Sequence, residues 1–187
     1  MCSLIKVEIS DTQVHLRVDH PALERLVRTV LAAEDRRHGS ISIALVDDMT
    51  IQSLNRAHLG HDWPTDVISF PLSPPEAPLA GELVVSAEMA CAMARELDVE
   101  PLAELSLYVI HGLLHLCGFD DHDDADIIRM RQREDELLAL NGLTRANDQV
   151  APGARAADRE SLLGPKGGAS TLRSPTTHQS ESGPWTG

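Results

Sequence analysis

The chain has 187 residues, 42% of them hydrophobic and 24% charged, a composition typical of one globular domain that can bury its own core. Its formal net charge of −13 opposes generic binding to phosphate backbones. Three scattered cysteines exclude a disulfide framework and favour a reducing compartment. The opening MCSLIKVEIS has no secretion-signal pattern, and no apolar run approaches membrane length. We therefore expect a cytoplasmic protein without a membrane partner.

The first half of the chain alternates between strand-like and helix-like patterns. LIKVEI and QVHLRV are short alternating segments typical of strands. Asp19 and Pro21 then form a helix-entry signal, and this helix is expected to end at Gly39. SIALVDD predicts a buried strand, after which Asp47 or Asp48 can cap a helix. DVISFPL and GELVVS predict two further strands.

The second half is predicted to be mainly helical. AEMACAMARELD predicts one helix, Pro101 to Cys117 a second, and a last one runs from about Asp124 to Leu140 before the stop signal Gly142. Residues 1–144 are thus expected to form a single compact α/β domain, α+β-like, with a small mixed sheet packed by about four to five helices. Residues 145–187 are rich in Gly, Pro, Ser and Thr and predict a disordered tail.

Two histidines in HGLLHLCGFDDHDD, His111 and His115, are four residues apart on a predicted helix. Side chains at this spacing lie on one helix face, with Cβ atoms about 5–6 Å apart, so both imidazoles can reach one ion. Such a pair also occurs by chance on solvated helices, and a lone buried histidine usually belongs to the core. Gly118 can turn the chain back toward the last helical turn. The pattern predicts a metal site at the end of a central helix.

The run DDHDD at residues 120–124 offers a third ligand, although the same residues can also cap the following helix. Three protein ligands leave one position for water, which is typical of catalytic rather than structural zinc. Such a metal can supply hydroxide near neutral pH and polarise a carbonyl or phosphoryl oxygen. In HExxH metalloproteases a glutamate follows the first histidine, whereas Gly112 stands here, so the protease mechanism is disfavoured.

Three ordered motifs resemble those of the YbeY endoribonucleases. HGLLHLCGFDDHDD closely resembles their HGxLHLxG signature, which is followed by an aromatic residue and a third ligand. LNRAHLGHDWPTDVISFP is similar to the family's LNxxYRxxDxPTDVLSFP, and GELVVS resembles its GDIxIS strand. The resemblance covers about residues 40 to 140. It implies a compact α/β fold and a single-strand-specific endoribonuclease with one zinc ion, acting in small-subunit ribosomal RNA maturation and ribosome quality control.

The resemblance also implies a ligand set. The first two family ligands match His111 and His115, and the third, ten residues after the first histidine, matches Asp121. His122 is the alternative if the loop carries one extra residue. No catalytic residue is assigned beyond the ligands, although Asp120 is a candidate base. Attack by zinc hydroxide and attack by the ribose 2′-OH are both compatible with this set.

One family position differs in this chain. The family arginine thought to contact RNA is replaced by Leu59, and Arg56, three residues earlier, is the candidate substitute. The expected partners are ribosomal RNA and the ribosome or ribosome-associated proteins, with no DNA. The acidic net charge fits an RNA enzyme if the ribosome or a partner protein presents the substrate.

Two other functions are compatible with these motifs. One is a non-catalytic ribosome-assembly module with a structural metal, closed by four protein ligands that include both Asp121 and His122. The other is a metal-dependent hydrolase that acts on another substrate.

Overall fold

A computed structural model describes residues 4–145 of the chain. Its elements are, in chain order, β1 (Leu4–Asp11), α1 (His20–Ala33), β2 (His38–Val46), α2 (Asp48–Leu59), β3 (Val67–Pro71), β4 (Leu79–Ser86), α3 (Ala87–Leu97), α4 (Pro101–Cys117) and α5 (Asp124–Leu140). Four strands in a mixed sheet with five helices confirm the predicted α/β fold class. Apart from Arg145, the predicted tail lies outside the described residues.

The sheet has the strand order β1-β2-β4-β3. Strands β1, β2 and β4 are parallel to one another, whereas β3 runs antiparallel to β4 at the edge, with Val67 opposite Val85 and Pro71 opposite Gly81. Proline cannot donate a backbone hydrogen bond, so an edge strand is the position in a sheet that accommodates Pro71. The antiparallel edge strand makes the sheet mixed.

The core lies mainly on one face of the sheet, where α4 packs against β3 and β4 and against helices α1, α3 and α5. Side chains of β4 alternate between the two faces. Leu83 and Val85 join the main core, whereas Val84 packs with Ile51 of α2 and Ile68 of β3 on the other face. Helix α4 is therefore buried on most sides, and its polar residues stand out against an apolar background.

The strand predicted at QVHLRV is wrong, because residues 13–18 form no strand. The side-chain amide of Gln13 organises this segment: its oxygen accepts hydrogen bonds from the backbone N–H groups of His15 and Leu16, at 2.7 and 2.8 Å. Its nitrogen donates to the Leu16 carbonyl at 2.6 Å. Val14 points into solvent with 93% of its surface exposed. A side chain that bonds its own backbone competes with strand pairing.

The predicted end of the first helix at Gly39 is also wrong. The helix ends at Ala33, and Asp35 takes the left-handed turn with φ 55°. Gly39 lies in β2, with φ 149°, and a Cβ added there would lie 2.0 Å from the Leu79 carbonyl oxygen. This glycine permits the close approach of β4 rather than a helix stop.

Among residues 4–145, no helix combines the length and the apolar character that crossing a bilayer requires.

Candidate metal centre

The end of α4 fixes the direction of His115. Gly118 has φ 101°, a left-handed conformation that lets its N–H donate to the His115 carbonyl while the Phe119 N–H donates to the Leu114 carbonyl, each at 3.0 Å. The chain then turns back over the last helical turn. As a result, the Phe119 carbonyl lies 3.1 Å from Nδ1 of His115 and accepts its hydrogen bond. The predicted role of Gly118 in turning the chain is confirmed.

The rings of His111 and His115 face each other through their Nε2 atoms. Nδ1 of His111 lies 2.6 Å from Oε1 of Glu134, so the two Nδ1 atoms face a carboxylate and a carbonyl. These acceptors assign the Nδ1 proton to each ring and leave the Nε2 lone pairs for other partners. The two Nε2 atoms are 3.0 Å apart. Two nitrogens on one tetrahedral zinc at about 2.0–2.1 Å would lie roughly 3.3 Å apart, so the donor pair fits such an ion.

Burial and charge act in opposite directions on Glu134. Its burial alone would raise its pKa, but the hydrogen bond from His111 and the charges of His111 and Arg145 outweigh this effect and lower the pKa below its ordinary value. Glu134 is therefore a carboxylate at neutral pH and can only accept hydrogen bonds. For His115, burial lowers the pKa and the charge of His111 lowers it further, so its ring is favoured in the neutral form that binds metals.

Asp121 is the acidic residue that the glycine turn brings to the histidine pair. Its Oδ2 lies 3.9 Å from Nε2 of His111, and its Oδ1 lies 3.9 Å from Nε2 of His115. One potential ligand atom from each of these three residues lies within 4.8 Å of the others. Two imidazole nitrogens and one carboxylate are a donor set that suits zinc. We refer to these three residues as the His111 cluster.

His122 follows Asp121 in the turn and contacts Asp120. Its side chain is 83% exposed, and its Nδ1 donates a hydrogen bond to Oδ1 of Asp120. This bond and the nearby carboxylate raise the pKa of His122, and the same hydrogen bond lowers the pKa of Asp120. The structure thus brings Asp121 to the histidine pair, whereas His122 belongs to a second, exposed group with Asp120 and Asp121. Asp123 caps α5, as predicted for part of the acidic run, by accepting from the Asp126 N–H at 2.8 Å.

Gly112 lies between α4 and the sheet. A Cβ added to it would lie 2.9 Å from Cδ2 of Leu83 and 3.0 Å from both Oγ of Ser69 and Cγ2 of Val67. Oγ of Ser69 also donates a hydrogen bond to the Gly112 carbonyl at 3.2 Å. The position that carries the general base in HExxH proteases therefore faces side chains of the sheet, and a glutamate has no room there.

The predicted RNA-contact residue lies on the surface at the end of α2. Nη1 of Arg56 is 3.5 Å from Oδ1 of Asp62, and both side chains are largely exposed. Leu59, in the position of the family arginine, is also exposed. Aromatic rings follow in the next loop, where His61 stacks on Trp63 with ring centroids 4.7 Å apart. Together these residues form an exposed surface that presents the guanidinium of Arg56 and the stacked rings of His61 and Trp63.

Sequence reasoning missed two polar residues beside the His111 cluster. Glu134 carries a sequence signal, because it lies on the buried face of α5 with Met130, Leu137 and Leu138, where a charged residue needs a partner. Arg145 carries no such signal, since its surroundings in the sequence are those of the predicted tail. Its Nη2 lies 2.6 Å from Oε2 of Glu134.

The chain is similar to several known proteins. The family model described as Endoribonuclease YbeY matches residues 8–142. A protein named Endoribonuclease YbeY from Anaeromyxobacter sp. (strain Fw109-5) is 41% identical over 178 residues, covering 90% of this chain and 88% of the relative. One of the same name from Carboxydothermus hydrogenoformans is 38% identical over 141 residues, covering 74% of this chain and 99% of the relative. A Thermotoga maritima protein solved in solution is similar with TM-score 0.52 and 25% identity, over 80% of this chain and 99% of that chain.

Proposed function

The chain belongs to the YbeY endoribonuclease family, and we propose that it is a zinc-dependent endoribonuclease that cleaves single-stranded RNA at the His111 cluster. The observation that carries the proposal is the pair of Nε2 atoms 3.0 Å apart, with both Nδ1 atoms already engaged by acceptors. Two lone pairs facing each other repel unless a proton or a cation lies between them. A metal ion satisfies both nitrogens at once.

In this proposal, Nε2 of His111, Nε2 of His115 and a carboxylate oxygen of Asp121 hold one zinc ion. Bound zinc supplies Lewis-acid stabilisation of the charge that develops on a phosphodiester during cleavage, and it can acidify water. The Glu134 carboxylate and the Phe119 carbonyl hold the two Nδ1 protons, so each ring keeps Nε2 as its donor atom. A set of three protein ligands would suit a catalytic metal, whereas a fourth, such as His122, would favour a structural one.

Asp120 has a limited role in proton transfer in this scheme. Its exposed carboxylate is ionised at neutral pH, and the hydrogen bond with His122 lowers its pKa below the ordinary value. A carboxylate with a lowered pKa is a weak base. We therefore expect the side chains that hold the metal to contribute more to the rate than Asp120 does.

Substrate binding is proposed to depend on local contacts and on presentation of the RNA. Arg56 pairs with Asp62 at 3.5 Å on an exposed surface, where such pairs contribute little free energy. Its guanidinium can therefore exchange Asp62 for an RNA phosphate. Since the net charge of −13 opposes unaided RNA binding, we propose that ribosomal RNA reaches the site on the ribosome or with a ribosome-associated protein. A role in small-subunit ribosomal RNA maturation in the cytoplasm fits these requirements.

The test is cleavage of a fluorescent single-stranded RNA by the purified full-length chain, with the same sequence as a duplex for comparison. Zinc-loaded protein is expected to cleave the single strand, and a chelator is expected to abolish cleavage until zinc is restored. His111→Ala and His115→Ala should remove activity, whereas the control His122→Ala should retain it. Equal cleavage in the presence of chelator and by all variants would overturn the proposal.

A further inference from the structure

Glu134 is a charged residue on the inner face of α5, with 4% of its surface exposed. Each of its carboxylate oxygens has one partner. Oε1 lies 2.6 Å from Nδ1 of His111, and Oε2 lies 2.6 Å from Nη2 of Arg145. Because each oxygen has its own partner, the carboxylate cannot rotate without breaking one of two charge-assisted hydrogen bonds. The contact with Arg145 therefore keeps Oε1 directed at His111.

Arg145 is itself held in place. Its side chain is 14% exposed, and its guanidinium binds two carboxylates, with Nε 2.6 Å from Oδ1 of Asp135 in addition to the contact with Glu134. A fork of this kind has less freedom than a single contact. Arg145 follows the last helix, and it lies beyond residues 8–142, which the family model matches. His111 is thus connected, through Glu134, to Arg145, the first residue after the domain predicted from the sequence.

A buried ion pair contributes little net stability, because the free-energy cost of removing the two charges from water offsets much of their attraction. Its stabilising effect alone therefore does not explain the Glu134–Arg145 pair. Here the pair ends on an imidazole whose other nitrogen belongs to the His111 cluster. His115 is oriented differently, by the backbone carbonyl of Phe119. The two rings of the cluster therefore depend on different supports, and only the support of His111 can be removed by changing side chains.

We propose that Glu134 and Arg145 are positioning residues for the metal centre: Arg145 fixes the Glu134 carboxylate, and Glu134 holds His111 with its proton on Nδ1 and Nε2 directed at the ion. This inference rests on the metal centre of the proposed function and adds the residues that orient one of its ligands. Groups that orient a metal-bound histidine typically change metal affinity by about 10–100-fold when they are altered.

Helix α5 provides a matched control. Nε of Arg133 lies 2.6 Å from Oε1 of Glu34, and Arg133 also contacts Glu136. This ion pair is comparable in type and connects the same helix to the end of α1, but neither Glu34 nor Glu136 belongs to the His111 cluster. Substitution of Arg133 therefore measures how the loss of an ion pair of α5 affects the fold when no residue of the His111 cluster is involved.

The experiment measures zinc affinity of the full-length chain by competition with a chromophoric chelator. We expect Glu134→Gln to weaken zinc binding by about 10–100-fold and Arg145→Gln by about tenfold. Arg145→Lys, which keeps a positive charge beside Glu134, should recover part of the loss, and Arg133→Gln should bind zinc like the native chain. If Glu134→Gln fails to fold, the arginine variants carry the comparison. Native zinc affinity in Arg145→Gln would overturn the proposal.

A second measurement needs no substitution. Nitrogen-15 NMR of the zinc-free native chain identifies which nitrogen of His111 carries the proton when no metal occupies Nε2, and we expect Nδ1. A proton on Nε2 would overturn the positioning role even if every variant proved unstable. The two proposals fail differently: a native chain that binds no zinc rejects the metal centre itself, whereas native zinc binding that Arg145→Gln leaves unchanged rejects only the positioning role.

Discussion

Nδ1 of His115 donates a hydrogen bond to the Phe119 carbonyl at 3.1 Å, across the turn that Gly118 makes with φ 101°. The turn that ends α4 thus also orients a candidate ligand. A non-glycine residue in the left-handed region costs about 1–3 kcal/mol of backbone strain. A substitution of Gly118 is therefore expected to disturb both the end of α4 and the orientation of His115.

Gly118→Ala is expected to lower the free energy of unfolding by about 1 kcal/mol or more and to weaken zinc binding as well. The control is Gly60→Ala, since Gly60 has φ 75° at the end of α2 and an added Cβ there meets nothing within 4 Å. Urea unfolding and chelator competition on both variants provide the comparison. The coupling is refuted if Gly118→Ala and Gly60→Ala lose similar stability and both keep native zinc affinity.

The third ligand can be identified from the metal content of two neighbouring variants. Asp121 lies 3.9 Å from both Nε2 atoms, whereas the side chain of His122 is 83% exposed and bound to Asp120. We therefore expect Asp121→Ala to lose zinc affinity by about tenfold or more, a loss at least as large as that from altering a supporting residue, and His122→Ala to keep it. Elemental analysis after dialysis measures both. Zinc retained by Asp121→Ala and lost by His122→Ala would make His122 the ligand.

Gly112 provides a prediction about packing. Alanine normally stabilises a helix interior relative to glycine by about 0.5–1 kcal/mol. At Gly112 the added Cβ would come within 2.9 Å of buried Leu83, so we expect Gly112→Ala to destabilise the protein by about 1–3 kcal/mol instead. The midpoint of urea unfolding measures the change. An alanine variant as stable as the native chain would mean that the helix and the sheet can move apart at no cost.

The pKa values of Asp47 and Asp48, at the start of α2, are shifted in opposite directions, which predicts opposite effects of pH on the free energy of unfolding. Burial raises the pKa of Asp48, and the nearby charge of Glu88 raises it further, against the hydrogen bond from Ser86. The hydrogen bonds from Thr50 lower the pKa of Asp47. A raised folded-state pKa favours folding below the ordinary value of 3.8, and this contribution is lost as pH rises through the folded value. A lowered pKa favours folding above 3.8 and is lost as pH falls.

Stability curves between about pH 3 and 7 can therefore separate the two carboxylates. Relative to the native chain, Asp48→Asn should become more stable as pH rises, because it removes a charge that folding disfavours. Asp47→Asn should become relatively less stable over the same range, because it removes a charge that the Thr50 N–H stabilises. Parallel curves for the two variants would contradict the assignment.

The sequence predicted best those features that depend on neighbouring residues. The bounds Pro101–Cys117 and Asp124–Leu140 agree with the structure because proline, an acidic cap and glycine act within one helical turn. The pairing of His111 with His115 follows from helix geometry in the same way. The strand expected at QVHLRV was wrong because the Gln13 amide decides the conformation there, and alternation of apolar residues does not reveal it.

Contacts between distant residues could not be predicted in this way. Glu134 meets His111 from 23 residues away, and Arg145 meets Glu134 from 11 residues away across the end of α5. The first contact depends on how α5 packs against α4, and the second depends on the path of the chain after α5. A charged residue on a buried helix face indicates that some partner exists, but the identity of the partner follows only from the tertiary arrangement.

The three candidate ligands differ in mechanical support. His111 and His115 lie on a helix buried against the sheet and three other helices, whereas Asp121 lies on a short turn with its side chain 46% exposed. Such a site can open on the aspartate side without unfolding the core, because short exposed segments open at lower free energy than buried helices. Exchange of a metal bound there would then be governed by motion of this turn, so that a metal bound tightly at equilibrium would still leave quickly.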